Sequence, residues 1–321
     1  MWFGAEDGVR VYDGLKWTGY TEADVMLPGR TEALCAARDG SVYAASPTGI
    51  SRFRDGKWER VFQTEDTIPL WFRDVMEASD GSIWAASFYG VVRIRNDEAI
   101  LYSSSDCEPA IRMLAPDVRF VPVPADATPS AVWDRGEGIG VWWERPASAR
   151  PNRPFVITLL LPGGPADAAG LRIGDRIMTV DGDSTRDLRI PAGTTAALTV
   201  ERPGVVQPLH LAVTGRKLQE TLHVFGMWDV YEDRDANIWF GLWGSSGERE
   251  LAGVIRHDPR AASPEGPDSW RLFAAKDGLD IAWAPRILQT RDGTIWVVGA
   301  RGADAVNRFD GRQWTTLRLY D

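Results

Sequence analysis

Cysteine is almost missing from this chain, with Cys35 and Cys107 alone among 321 residues. Neither lies in a Cys-x-x-Cys pair, which excludes a thiol redox motif, and no disulfide framework is expected. Histidine is nearly as scarce. His210, His223 and His257 stand alone, with no partner at i+2 or i+4 to seed a zinc site, and no metal site is expected. Basic residues do not predominate: 36 Lys and Arg face 45 Asp and Glu, for a net charge of −9. Phosphate backbones are bound through clustered cations, so nucleic acid is not expected as a partner. No apolar run reaches the ~18 residues of a membrane-spanning helix, and no basic-then-apolar leader opens the chain. Phosphate-cradling glycine loops and dinucleotide fingerprints are also missing, and no cofactor is expected. Gly244-Ser245-Ser246-Gly247 lacks the strand–elbow–helix setting of a nucleophilic serine and reads as a loop. No catalytic residue is assigned, and the chain reads as more plausibly a binder than an enzyme.

What is present is repetition. Asp39-Gly40-Ser41-Val42-Tyr43, Asp80-Gly81-Ser82-Ile83-Trp84, Asp235-Ala236-Asn237-Ile238-Trp239 and Asp292-Gly293-Thr294-Ile295-Trp296 repeat one phrase. Trp2-Phe3-Gly4 repeats its ending, and Trp2, Tyr43 and Trp84 are spaced 41 residues apart. Each phrase precedes an apolar-basic run and a second tryptophan at Trp17, Trp58, Trp270 or Trp314; in the third copy Ala99 replaces it. Fixed periods of this length mark stacked supersecondary units. The second copy divides into four short strands over 34–38, 42–45, 50–54 and 58–62, turned by Asp-Gly pairs that tolerate φ > 0. One such sheet cannot bury both faces, whereas sheets stacked radially about an axis can, which predicts a β-propeller. Leu34, Val42, Tyr43, Val75, Ile83, Trp84, Ile238, Trp239, Ile287, Ile295 and Trp296 are expected to be largely buried.

The phrase D-x-x-G-x-I-W-F-G, followed by G-[VI]-x-R-[FY]-x-D-G-x-x-W, resembles the two-component-regulator propeller repeats over residues 1–102 and 226–321. That resemblance implies a sensor-type module in a periplasmic or extracellular setting. Between the two arrays the vocabulary changes. Gly138-Ile139-Gly140-Val141, Phe155-Val156-Ile157-Thr158, Pro162–Leu171, Gly174-Asp175-Arg176-Ile177, Val180-Asp181-Gly182 and Leu198–Arg202 resemble, in order and spacing, a PDZ domain of the bacterial protease-associated type. The expected organisation is therefore an all-β propeller of about five visible four-stranded repeats, in 1–102 and 217–321. A 103–129 linker and an inserted PDZ-like α+β domain over 130–216 separate its parts. The first repeat begins without its innermost strand, so the ring is expected to be incomplete and the chain to be a piece of a longer protein.

The resemblance implies that the Gly138–Val141 loop captures a peptide terminus beside an added strand. The opposite wall of that groove should be a helix, but only residues 184–190 are available before Pro191 stops it. Weak peptide binding or a structural role is expected. Asp233-Arg234-Asp235-Ala236-Asn237 imitates the start of a calcium loop, yet the glycine and glutamate required further on are missing, and the other repeats place a hairpin turn there. His257 stands where other repeats carry Tyr12 or Phe53 and is expected to be an aromatic-sized strand residue.

The insertion after Tyr102 and the long loop 242–253 are expected on one face of the propeller, and insertions gathered on one face mark a binding face. Arg30, Trp71 and Trp283 align just before innermost strands. Arg73, Trp228 and Arg286 neighbour them, and Trp243 sits in the inserted loop. An aromatic-and-arginine rim of this kind suits a polar small molecule, an oligosaccharide or a small anion. The leading functional reading is a non-catalytic ligand-binding or sensor module. A protein-interaction scaffold, with a protein or peptide partner at the PDZ domain, is the second reading. The substrate-handling part of a tricorn-like protease, or a propeller lyase, is the third.

Overall fold

The computed structural model describes residues 1–64, 69–115, 117–123, 130–133, 138–144, 154–184, 188, 190–218, 220–223, 226–242, 253–281, 286–299 and 305–318. Its first unit is a three-stranded sheet of β1 (Trp2–Ala5), β2 (Gly8–Tyr12) and β3 (Trp17–Tyr20). The second is a four-stranded meander of β4 (Ala33–Ala36), β5 (Val42–Ser46), β6 (Gly49–Arg54) and β7 (Lys57–Gln63). The third runs through β8 (Asp74–Glu77), β9 (Ile83–Ser87), β10 (Gly90–Arg95) and β11 (Glu98–Ser103). Beyond it, helix α1 (Glu108–Leu114) leads to β12 (Arg119–Pro122), which joins the same sheet parallel to β11.

The chain then leaves through β13 (Ser130–Trp133) into a separate five-stranded sheet. That sheet comprises β14 (Val141–Glu144), β15 (Phe155–Leu160), β16 (Arg176–Val180), β17 (Thr195–Glu201) and β18 (Leu209–Thr214), with the short helix α2 (Pro165–Ala168). It returns through β19 (Glu220–His223), which pairs antiparallel with β13 as a two-stranded stem. Two further meanders follow. One is β20 (Met227–Glu232), β21 (Ile238–Leu242), β22 (Val254–His257) and β23 (Trp270–Phe273); the other is β24 (Arg286–Gln289), β25 (Ile295–Val298), β26 (Ala305–Phe309) and β27 (Trp314–Arg318). Strands β4, β8, β20 and β24 neighbour one another in that order and form the inner layer of blades two to five. The fold is a β-propeller carrying an inserted PDZ-like domain.

The repeated phrase builds the turn between the first and second strands of each blade. Gly40, Gly81 and Gly293 take φ between +82° and +92°, and Ala236 takes the same left-handed place at φ +56°. A carboxylate then stabilises each turn: Asp39, Asp80 and Asp292 accept the backbone N–H of Ser41, Ser82 and Thr294. In blade four Asp233 does this for Asp235 and Asn237, and its second oxygen accepts the Trp239 indole N–H at 2.7 Å. The calcium-like stretch is therefore a hairpin turn whose carboxylate is occupied by protein donors.

The aromatics of the phrase connect blades according to one rule. Trp2 lies against Phe53 and Trp58 of blade two, with ring centroids 4.9 and 6.1 Å away. Trp84 meets His257 of blade four at 5.4 Å. Trp239 meets Phe309 and Trp314 of blade five at 5.9 and 6.4 Å. Tyr43 shares a core with Ile94 and Ala99, the smaller residues at the same places in blade three. Each blade's second strand thus presents an aromatic to the third and fourth strands of the next, and such ring pairs contribute roughly 0.5–1.5 kcal/mol beyond area burial. Nine of the eleven expected core residues are buried; Leu34 and Trp296 are half-buried. The rule explains both exceptions. Leu34 faces the three-stranded blade, and Trp296 faces outward from blade five.

In the inserted domain, alternate residues of β15 serve two cores. Phe155 and Ile157 enter the domain's own core, and Val156, with Trp142 of β14, joins the blade-three core beside Ile111 and Cys107. Between them Thr158 meets the buried Tyr89 hydroxyl at 3.0 Å. The inserted domain is packed onto blade three and does not hang free on its stem.

Candidate functional site

In blades one to three, the loop between the second and third strands lies beside a connection that enters an innermost strand. Thr31 N–H donates to Ala5, Trp71 N–H to Pro47, and Phe88 N–H to Leu70. These bonds set one face of the propeller, and the connections on that face carry the sequence-assigned residues. Trp71 holds φ +57°, a strained left-handed backbone for a bulky side chain, of a kind that concentrates at functional sites.

Five of the seven assigned mouth residues are described, and they fall into one network spanning blades two to five. Arg30 makes a bidentate ion pair with Glu32, at 2.6 and 2.8 Å, and reaches Glu6 of blade one at 3.9 Å. Glu32 also faces Arg73 at 3.5 Å. The Arg73 guanidinium stands over Trp71 and Trp228, 5.5 and 4.9 Å from their ring centroids. Next to Trp228, Asp229 accepts Arg286 Nη1 at 2.7 Å and the Ile287 N–H at 2.6 Å. Asp74, next to Arg73, accepts the Val230 N–H at 3.2 Å and lies 3.7 Å from Arg286. Trp243 and Trp283 lie outside the described residues.

Sequence reasoning missed the three carboxylates, Glu32, Asp74 and Asp229, although the same alignment contains them. Measured from the tryptophan of each phrase, Asp74, Asp229 and Arg286 occupy one position at the start of three successive innermost strands. That position is where a propeller's strands crowd its axis, so the three side chains meet. Asp74 and Asp229 converge on Arg286, and the Asp74 charge disfavours ionisation of Asp229. Burial first, then the Asp74 charge, pushes Asp229 up to about 7. Burial likewise raises Asp74. Arg286 opposes both shifts from an exposed position, 71% accessible, and so only partly offsets them.

The second candidate is the Gly138–Val141 loop. Ile139 is buried, its carbonyl accepts the Ala166 N–H, and the Gly140 carbonyl accepts the Leu161 N–H. Gly140 holds φ +73°, and a Cβ there would come within 2.9 Å of the Leu161 side chain. Strand β14 follows at the edge of its sheet, where an added strand could pair. The opposing helix is not seen at Ser184, Leu188 or Ile190, and residues 185–187 and 189 lie outside the described residues. Leu188 and Ile190 are instead buried in the domain core. A strand edge with no facing wall among the described residues supplies backbone hydrogen bonds but no side-chain pocket. C-terminal peptides are accordingly expected to bind more weakly than micromolar in fluorescence polarisation; micromolar binding abolished by Gly140→Leu would overturn this.

Among solved structures, the extracellular domain of a protein assigned as a hybrid two-component system from B. thetaiotaomicron aligns over 90% of this chain. It does so at 10% identity and a TM-score of 0.23, and this chain spans only 34% of its length. PorZ, a surface component of the type-IX secretion system of Porphyromonas gingivalis, aligns over 97% of this chain and 37% of its own, at 11% identity and TM-score 0.31. Virginiamycin B lyase from Staphylococcus aureus aligns over 91% of this chain and 85% of its own, at 13% identity and TM-score 0.23. Within the insertion the likeness is to a family, because residues 133–198 match the PDZ domain model.

Proposed function

We propose that this protein is a non-catalytic binding module, whose propeller (1–102 and 217–321) takes a neutral polar ligand, of the oligosaccharide class, at the mouth. The inserted domain (130–216, reached through 103–129) acts as a docked structural element. The observation that carries this reading is Arg73, stacked with Trp71 and Trp228 and paired with Glu32. Indole surfaces bordered by fixed guanidinium and carboxylate groups offer what a sugar ring requires: an apolar face, and donors and acceptors at its edge. A small anion fits less well, because Arg30 and Arg73 are matched by Glu32, and Arg286 by Asp229 and Asp74. A partner within the periplasm or outside the cell accords with this ligand class.

Calorimetric titration with neutral oligosaccharides and with uronic-acid oligosaccharides tests the reading. Neutral chains should bind, and Trp228→Ala should weaken them by about tenfold or more, the usual cost of losing one stacking aromatic. Binding confined to the acidic chains, or unaffected by Trp228→Ala, would overturn it.

A further inference from the structure

The two indoles that bracket Arg73 stand on different connections, and both connections lean on one loop. That loop, Phe88-Tyr89, joins β9 to β10 on the mouth face. On one side, the Phe88 N–H donates to Leu70 at 3.0 Å, next to Trp71. On the other, Gly226 passes so close that a Cβ there would lie 3.7 Å from the Phe88 carbonyl oxygen, two residues before Trp228. Leu70 and Phe72, which flank Trp71, are fully buried in the same core as Tyr89. Between them Trp71 keeps its left-handed backbone, and a strained residue of this kind persists only where its surroundings over-determine it.

The loop is held in turn by the inserted domain. Tyr89 is buried, and its hydroxyl lies 3.0 Å from that of Thr158 on β15, which is also buried. Val156 and Thr158 are two residues apart on that strand and so share the face turned to blade three. Val156 and Trp142 enter the core that contains Tyr89, Leu70 and Phe72. A contiguous packed path thus runs from the insert through Tyr89 and Phe88 to both indole-bearing connections. The Arg73 N–H, bonded to Ala86 of β9 at 2.8 Å, ties the third member of the clamp to the strand that leads into the same loop.

We infer that the docked insert braces the Trp71–Arg73–Trp228 clamp in its binding form, with Tyr89 and Thr158 as positioning residues that act through the loop and not on the ligand. The consequence for binding rests on the reading of the mouth as a ligand site; the brace itself does not. A buried hydroxyl that loses a partner costs free energy, so the pair resists separation of the insert from the loop. Linkage is reciprocal: if the docked insert favours the binding form of the clamp, ligand at the mouth favours docking by the same factor. The insert is thereby the part of the molecule on which occupancy of the mouth registers.

Hydrogen exchange of the full chain, read at the Trp71 and Phe88 amides, tests the brace without any ligand, with far-UV circular dichroism confirming that each variant is folded. Thr158→Val keeps the side-chain shape and removes the hydroxyl. It should speed exchange at both amides by about tenfold, and leave the Thr290 amide in the first turn of blade five unchanged. Thr158→Ser, which keeps the hydroxyl, should exchange as the wild type does. Val156→Ala, on the same face of β15, should repeat the Thr158→Val pattern. Calorimetry with neutral oligosaccharides then reads the consequence: Thr158→Val should weaken binding by a similar factor, and Thr158→Ser should not. Unchanged exchange at Trp71 and Phe88 in a folded Thr158→Val or Val156→Ala protein would overturn the inference. Acceleration that extends equally to Thr290 would mean general loosening and overturn it too, as would faster exchange with undiminished affinity. A wild type that binds no neutral oligosaccharide would overturn the proposed ligand instead, and the exchange result would still decide the brace.

Discussion

Replacing His257 with phenylalanine should stabilise the protein, by an amount that grows as the pH falls. His257 is fully buried and stacked on Trp270 at 4.1 Å, and neither ring nitrogen has a partner in hydrogen-bonding geometry. Burial first, then the charge of Arg93, lowers it to about 3, with the Ser269 carbonyl and Asp258 only partly offsetting them. A histidine depressed in the folded state contributes stability above its ordinary value of 6.5, and that stability is lost as the pH falls toward about 3. Across that window the loss is about 1.4 kcal/mol per pH unit, or roughly 2 kcal/mol at pH 5. Phenylalanine has no such titration, and it occupies the same place in blades two and five as Phe53 and Phe309. It also removes the two buried nitrogens, worth about 1–3 kcal/mol at any pH. Urea midpoints at pH 8 and pH 5 separate the contributions, because other titrating groups cancel in the difference. If wild type and variant remain parallel between those pH values, His257 is not the buried neutral group described.

The same residue shows what the sequence could and could not convey. Its role as an aromatic-sized member of a blade joint was legible, because the joint is written in aligned positions and an imidazole stands where the pattern demands a ring. The blades were legible for the same reason: Asp-Gly turns and strand-two aromatics are local signals repeated often enough to exclude other folds. Helix α1 and strand β12 were not, since each occurs once and depends on packing that no periodicity announces. Arg30, Trp71, Arg73, Trp228 and Arg286 stand out in the connections as conspicuous residue types. Glu32, Asp74 and Asp229 were passed over among 45 acids that mostly solvate turns and strand ends. Their significance arises only when successive innermost strands converge and place equivalent positions side by side. Chemistry that lies between repeats is visible in an alignment of blades and invisible along the chain.

Asp229→Asn should gain stability relative to the wild type as the pH rises from 4 to 8. The Asp229 side chain is 3% exposed, between the starts of β8 and β24, where the charged groups facing it are Asp74 and Arg286. Its folded value of about 7 lies above the ordinary carboxylate value of 3.8, so the folded state holds a proton that the unfolded chain releases. The resulting stability is fully present below about 3.8 and is lost as the pH rises through about 7. At pH 8 the wild type therefore bears an ionised, buried, mutually repelling pair, at a cost of roughly 4 kcal/mol. Asparagine keeps the shape and removes the titrating charge, but its amide accepts through one atom only, so it gives up either the Arg286 or the Ile287 N–H contact at every pH. Denaturation midpoints of the two proteins should diverge as the pH rises from 4 to 8 and level off above it. Arg286→Ala, which removes the opposing charge, should move the wild-type curve in the other direction at pH 8. A chain that retains a destabilising acid pair at the mouth of its propeller is expected to use it, since functional sites are where stability is sacrificed for chemistry. Asp229→Asn should accordingly change the pH dependence of ligand affinity at that mouth along with stability. Midpoints that stay parallel from pH 4 to pH 8 would show that Asp229 is ionised without penalty.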